Sequence, residues 1–198
     1  MLCLGVLADA SRYRMAGAKR LCEAPQGSLP SWWKSVGDSV AGVADWEFRP
    51  ASVADVEGVA ELRAVVLRSD LERLGRYDEQ RVRQRLRDGF APEHTWMIEV
   101  GGASAGCVAL RPAKGAYWLE HFYLEPGLQG KGIGSAVLGR LLERCDREEA
   151  AVRLNVLQGS SARRLYERHG FIVEAEDEVD VFMVRDPAAS EENQRQTR

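Results

Sequence analysis

Gln129-Gly130-Lys131-Gly132-Ile133-Gly134 sets three glycines between an apolar, strand-like run, Trp118 to Leu124, and a stretch with Ile133, Val137, Leu141 and Cys145 at four-residue steps. A strand, a glycine-bearing turn and a helix in that order present main-chain N–H groups to an anion. The amides of a helix's first turn have no internal acceptor and lie at the positive end of its dipole. Glycines let a ligand approach the backbone and tolerate positive φ. The chemistry this predicts is recognition of a pyrophosphate-bearing cofactor. Other reactive side chains are less organised. Cys3, Cys22, Cys107 and Cys145 form no close pair of metal-ligand spacing, and His94, His121 and His169 are scattered. No metal site is expected, and the cysteines read as reduced thiols, with Cys107 and Cys145 in the core.

The elements that must position the turn follow from periodicity. Trp46 to Arg49 reads as a short strand closed by Pro50. Ser52-Val53-Ala54-Asp55 is a capping box, followed by Val59, Leu62 and Val66 at helical spacing. A second helix covers Tyr77 to Phe90, with Val82, Leu86 and Phe90 on one stripe and Arg81, Arg83, Arg85 and Arg87 on a solvated face. Strands are expected at Thr95–Val100, Ala105–Arg111 and Ala116–Leu124, with turns close enough to imply antiparallel hairpins. The glycine turn and its helix then lead to a strand over Ala151–Leu157. A strand–helix–strand link of this kind predicts a parallel pair with a right-handed crossover. A last helix over Ser160–His169, stopped by Gly170, precedes strands at Phe171–Ala175 and Val179–Val184.

The chain has 198 residues, and its 45 % apolar and 29 % charged content suits one soluble domain with a sizeable core. The net charge of −3 argues against nucleic acid as a partner, and no apolar run is long enough to span a bilayer. Met1 to Leu7 is apolar but lacks the basic segment of a signal peptide, so a cytoplasmic location is expected. Residues 1–45 mix small residues, Pro25, Pro30 and Trp32-Trp33 without sustained periodicity. They are expected to form an irregular, partly disordered extension, or an artefact of an upstream start codon. The competing expectation is an arm whose tryptophans dock on the domain or a partner. The polar tail, 187–198, is expected to be disordered.

On these residues the chain resembles the GNAT superfamily of acyl-CoA-dependent N-acyltransferases. Phe122-Tyr123-Leu124-Glu125-Pro126 running into the Gln129–Gly134 turn matches the family's strand and Q-x-x-G-x-G turn. Ala162-Arg163-Arg164-Leu165-Tyr166-Glu167-Arg168-His169-Gly170-Phe171 resembles its A-x-x-L-Y-x-x-x-G-F helix and strand, and Phe48-Arg49-Pro50-Ala51 its opening. The resemblance covers roughly Trp46 to Arg185 and implies an α/β (α+β) domain over 46–186. Its central sheet would be mixed and mostly antiparallel, of about seven strands, with helices on both faces. The fourth and fifth strands would be parallel and splayed. One departure stands out: many members carry Asn three residues before Ala162, where this chain has Gly159. The contact that Asn would make then falls to Asn155, Ser160 or Ser161.

The resemblance implies transfer of an acetyl group from acetyl-CoA, the acyl donor, to a primary amine by direct attack in a ternary complex. Such a reaction needs a held thioester, a polarised carbonyl, a deprotonated amine and a protonated leaving thiolate. The cradle would be the Gln129, Gly130, Lys131, Gly132, Ile133, Gly134 and Ser135 segment, with Lys131 either adding charge or facing solvent. A bulge near Tyr123 would free main-chain groups of Phe122 and Leu124 for pantetheine and the acetyl oxygen. Asn155 and Ser161 complete the expected cofactor contacts, a structural role for Asn155 being the alternative. Tyr166 is the implied general acid, its phenol protonated at neutral pH, or a core aromatic, or both. Glu120 is the candidate base, on the face of Phe122 and Leu124 by strand alternation, or else a salt-bridged charge. His121 or water is the alternative base.

Acceptor choice is expected to reside in the early helices, the Arg68–Tyr77 loop and the last hairpin. Glu174, Glu176, Asp177, Glu178 and Asp180 would favour a cationic acceptor, but a solvated acidic turn explains them as well. The acceptor is therefore a small-molecule or peptide amine of unassigned identity, with no nucleic-acid or membrane partner and a homodimer compatible with the family. A non-catalytic acyl-CoA sensor or interaction module is the rival expectation. A nucleotide hydrolase is excluded because the turn lacks G-x-x-x-x-G-K-[ST] spacing.

Overall fold

The computed structural model describes residues 45–188. The extension and tail expectations for 1–44 and 189–198 lie outside the described residues. Within them run β1 (Trp46–Pro50), α1 (Val56–Arg73), α2 (Glu79–Gly89), β2 (Thr95–Val100), β3 (Ala103–Ala113), β4 (Ala116–Leu124), α3 (Ile133–Arg147), β5 (Ala151–Leu157), α4 (Arg163–Arg168), β6 (Ile172–Glu176) and β7 (Asp180–Arg185). The strands form one seven-stranded sheet in the order β1-β2-β3-β4-β5-β7-β6, antiparallel except for β4 and β5. The mixed sheet with a parallel central pair agrees with the sequence expectation.

Local chemistry sets the helix starts. Asp55 Oδ2 accepts from the Ser52 N–H at 2.7 Å and the Ser52 hydroxyl at 2.8 Å, closing the expected box on a 3-10 turn that leads into α1. Arg49 grips the same carboxylate at 2.7 Å, holding Asp55 down at about 2. Asp78 caps α2 by accepting from the Arg81 N–H at 2.8 Å. The α4 helix begins later than its periodicity suggests. Ser160, Arg163 and Leu165 donate to carbonyls three residues back, so the segment enters as tight turns before α-geometry begins.

The sheet separates two apolar clusters. On one side Leu119, Phe122, Leu124, Val152, Leu154 and Val156 pack against Ile133, Val137, Leu138 and Leu141 of α3 and Leu165 and Tyr166 of α4. On the other, Met97, Cys107, Tyr123 and Leu157 pack against α1 and α2 through Val59, Leu67, Val82 and Leu86. Each fully buried Leu or Val contributes about 1.5–3 kcal/mol relative to exposure. Burial pushes both thiols, Cys107 and Cys145, up to about 12, so they are inert packing groups, as expected.

Two irregularities in the sheet define the site. The β4–β5 ladder pairs Ala116, Tyr117 and Trp118 with Ala151, Val152 and Arg153 and then stops. Beyond Trp118 and Arg153 the two strands run on unpaired with each other. The second irregularity is a bulge. In the β3–β4 ladder Cys107 pairs with Tyr123 but Ala109 with Glu120, so β4 carries one residue more than β3 over that interval. His121, at φ 49°, is the distorted residue. The bulge therefore falls at His121, two residues before the Tyr123 position expected from sequence.

Candidate active site

The glycine turn is built as its spacing requires. After β4 a 3-10 turn over Pro126–Leu128 reverses the chain, and the Gln129 side chain donates from Nε2 to the Leu124 carbonyl at 2.8 Å, tying the turn to the strand end. Gly130 at φ 76° and Gly132 at φ 86° take left-handed conformations that a side chain disfavours. Gly132 is the N-cap of α3, and the first helical hydrogen bond runs from the Ala136 N–H to the Gly132 carbonyl at 3.0 Å. Helix geometry leaves the amides of Ile133, Gly134 and Ser135 without an intrahelical acceptor, at the positive end of a fifteen-residue dipole. The Ile133 side chain itself is buried in the core, so its contribution to a ligand is its amide. The Lys131 side chain is exposed.

Behind the turn, α3 and α4 are pinned together. The Leu165 carbonyl lies 2.9 Å from His169 Nδ1 and so takes that nitrogen's proton. Nε2 is then the acceptor for the Ser135 hydroxyl at 3.1 Å. The Ser135 side chain is thus committed to α4. Tyr166 is fully buried in the α3–α4 core with its ring edge-on to Phe171 at 5.6 Å between centroids.

The bulge sorts β4 between the faces differently from simple alternation. Leu119, Phe122 and Leu124 share the α3–α4 core, whereas Tyr123 joins the α1–α2 cluster. Glu120 lies across from Ala109, on the α1–α2 face, so the expectation that it shares a face with Phe122 and Leu124 is corrected: the inserted residue resets the alternation. On that face Glu120 forms an ion pair with Arg111. His121 is buried there, with Nδ1 3.4 Å from the Tyr123 hydroxyl, and burial followed by the Arg63 charge pushes it down to about 3. It is a neutral imidazole at physiological pH. The Tyr123 hydroxyl accepts from Arg63 Nη1 at 2.5 Å, so the Tyr123 side chain is committed to α1, and its carbonyl oxygen lies against Gly106 of β3.

The β5–α4 loop explains the missing asparagine. Gly159 sits at φ 71°, and a Cβ there would meet Arg73 Nη1 at 2.8 Å. Arg73 in turn donates to the Gln158 carbonyl at 2.5 Å and binds Asp70 at 3.0 Å, fastening the end of α1 to this loop. Ser160 is buried and Ser161 exposed. Asn155, two residues past the last β4–β5 pair, is buried and donates from Nδ2 to Asp180 Oδ1 at 2.8 Å. Arg63 was not foreseen as a site residue, and Asp180 was read only as one member of the acidic hairpin. The signal for Asp180 was the alternation of apolar Val181 and Met183 with Asp180 and Phe182, which turns Asp180 inward across the sheet from the α3–α4 core. No sequence signal marks Arg63, a charge on an otherwise apolar helix stripe.

A splayed parallel strand pair thus lies beside a helix whose first-turn amides have no intrahelical acceptor. Residues 91–173 match the model of the acetyltransferase (GNAT) domain. That stretch, from the turn before β2 into β6, is similar to a GNAT acetyltransferase domain. The chain's fold is shared with the PaiA N-acetyltransferase of Thermoplasma acidophilum, solved in complex with coenzyme A, at 21 % identity and TM-score 0.60 over 72 % of this chain and 99 % of that one. Ard1 of Thermoplasma volcanium aligns at 22 % identity and TM-score 0.55, covering 72 % of this chain and 98 % of that one. An N-acetyltransferase of Staphylococcus aureus aligns at 18 % identity and TM-score 0.53, covering 69 % and 97 %. No curated protein matches the chain in sequence. Among the described residues, no helix is long and apolar enough to cross a membrane.

Proposed function

We propose that the enzyme moves an acetyl group from acetyl-CoA to a primary amine by direct attack within a ternary complex. The observation that carries this is the coincidence of two features at one place. The β4–β5 ladder ends at Trp118 and Arg153, and the open side leads to the unclaimed amides of Ile133, Gly134 and Ser135. The donor set suits a diphosphate, because main-chain N–H groups and a helix dipole bind oxyanions without a counter-charge to desolvate. Gly130 and Gly132 keep side chains out of that cradle, and a Cβ at Gly130 would meet nothing within 4 Å, so there is room beside it. The bound thioester supplies the acyl group.

The chain's own residues do the rest. Strand β4, free of β5 beyond Trp118, offers main-chain groups of Phe122 and Leu124 to orient the pantetheine arm. Tyr166, embedded in the α3–α4 core, supplies a proton for the departing thiolate from a phenol that is protonated at neutral pH. The α1–α2 face, where Asn155 and Asp180 meet, receives the amine.

A thiol-release assay with acetyl-CoA against a panel of small amines and peptide N-termini tests the proposal. Amine-dependent release is expected. In Tyr166→Phe, turnover should fall about 100- to 10,000-fold, the range of lost acid catalysis, with coenzyme A affinity unchanged. Unchanged turnover removes Tyr166 from the mechanism. No release with any amine, despite tight coenzyme A binding, rejects acetyl transfer to amines.

A further inference from the structure

Two carboxylates stand on the α1–α2 face beside the splayed strands, and their surroundings differ. Glu120 is ion-paired with Arg111. An arginine stays charged at every physiological pH, so Glu120 already has a permanent counter-charge. Asp180 is buried, at 7 % exposure, and its bonded partner is a neutral amide: Asn155 Nδ2 reaches Oδ1 at 2.8 Å.

The setting of Asp180 is rigid. Asp177 Oδ1 accepts from the N–H groups of both Val179 and Asp180 at 2.8 Å, and the Asp180 carbonyl accepts from the Asp177 N–H at 2.9 Å. Gln158 brackets the same turn, its main-chain N–H donating to the Val179 carbonyl at 2.8 Å and its side chain to the Asp177 carbonyl at 2.9 Å. The remaining charges facing Asp180 are Asp177 in the turn and Arg85 on α2, neither hydrogen-bonded to its carboxylate. Burial is the largest influence and raises Asp180 to about 6, the direction a base needs to hold a proton during turnover.

We propose that Asp180, oriented by Asn155, is the carboxylate that binds the acceptor's ammonium group and takes its first proton, while Glu120 stays committed to Arg111. The inference rests on the acetyl-transfer reading above. In balance, an N–H bond of the ammonium breaks and its proton joins Asp180. The freed lone pair forms the C–N bond at the thioester carbonyl, and the C–S bond breaks. The thiolate takes a proton from Tyr166, which is restored by the second proton leaving nitrogen, and Asp180 returns its own to water. The acceptor class this selects is an unhindered alkylammonium.

The test uses the full chain and propylammonium as the probe. The side-chain amide signals of Asn155 are followed by NMR against pH and then against propylammonium at pH 7.5. The wild type should show a titration with midpoint at about 6 and a saturable shift with amine. Glu120→Gln should keep both. Asp180→Asn should lose the titration and weaken amine binding at least about tenfold, the equivalent of one lost charged contact. Where an amine is turned over, Asp180→Asn should also remove the acid limb of kcat/KM without altering coenzyme A affinity. Amine binding that survives in Asp180→Asn but vanishes in Glu120→Gln overturns the proposal. A protein that binds propylammonium through Asp180 yet releases no thiol leaves the ammonium site standing and rejects acetyl transfer instead.

Discussion

On the α3–α4 side the sheet meets Val137, Leu138, Leu141 and Leu165, and the atoms proposed to hold the diphosphate are main-chain amides at a helix start. On the α1–α2 side it meets Arg63, Glu120, His121, Asn155 and Asp180, side chains held in fixed pairs. The two faces solve different problems. A diphosphate is the same in every acyl-CoA, and backbone donors recognise it without side-chain identity. An acceptor amine must be oriented and deprotonated, which needs side chains whose charge is set by their surroundings. The boundary between the faces is β4 itself, where one inserted residue at His121 sends Phe122 to one side and Tyr123 to the other.

The sharpest way to break this division is to put a side chain where backbone should suffice. Gly132→Glu forces a left-handed position at φ 86° and adds negative charge at the helix start. Coenzyme A affinity should drop by about 100-fold or more, a loss near 3 kcal/mol, while the fold persists by thermal melting. Normal affinity in isothermal titration would contradict the diphosphate assignment. Next in size is Gly106→Ala, which attacks the boundary. A Cβ there would lie 2.2 Å from the Tyr123 carbonyl oxygen, so β3 and the bulged end of β4 would have to part. A loss of about 3 kcal/mol in urea denaturation is expected. Gly127→Ala, with nothing within 4 Å, serves as the neutral control.

The α3–α4 side was legible in sequence because its signals are local. Glycines before a periodic run, a tyrosine on an apolar helix stripe and a βαβ link are each contained in about thirty contiguous residues. The other side depends on register. Simple alternation put Glu120 with Phe122, and the bulge that reverses this is invisible in the letters Glu120-His121-Phe122. Gly159 seemed a departure from a motif, and its cause is Arg73, far away on α1. The acidic hairpin read as one cluster, yet the structure separates its members. Glu174 is bound by Arg153, Asp177 caps a turn, and Asp180 turns inward to Asn155.

Two smaller predictions sharpen the contrast through pH. His121 is held at about 3, by burial first and the Arg63 charge second, against 6.5 for a free imidazole. Its folded value lies below its unfolded one, so the neutral ring's contribution is complete above pH 6.5 and is lost as pH falls toward 3. Between pH 7 and pH 5 this should remove about 2 kcal/mol of stability. His121→Gln should flatten that part of the curve in urea denaturation. Parallel curves for wild type and variant would mean that the ring is solvated rather than enclosed by the bulge.

The last effect is the smallest and has the opposite sign. Asp180 is raised to about 6 by burial, above its value of 3.8 when free. Its ionised form therefore costs stability: there is no penalty below about pH 4, and it grows as pH rises through 6. Asp180→Asn keeps an oxygen for Asn155 while removing the charge, so it should stabilise the fold at pH 8 by about 1–2 kcal/mol, allowing for partial solvation. At pH 4 it should leave stability unchanged. Glu120→Gln should show no such gain at pH 8, because Arg111 already compensates that charge. If both variants behave alike, the two carboxylates share one environment and the distinction between a held charge and an available one fails. If Asp180→Asn alone stabilises, the α1–α2 face keeps a carboxylate at a cost to its own fold. That is expected of a group held for its chemistry rather than for packing.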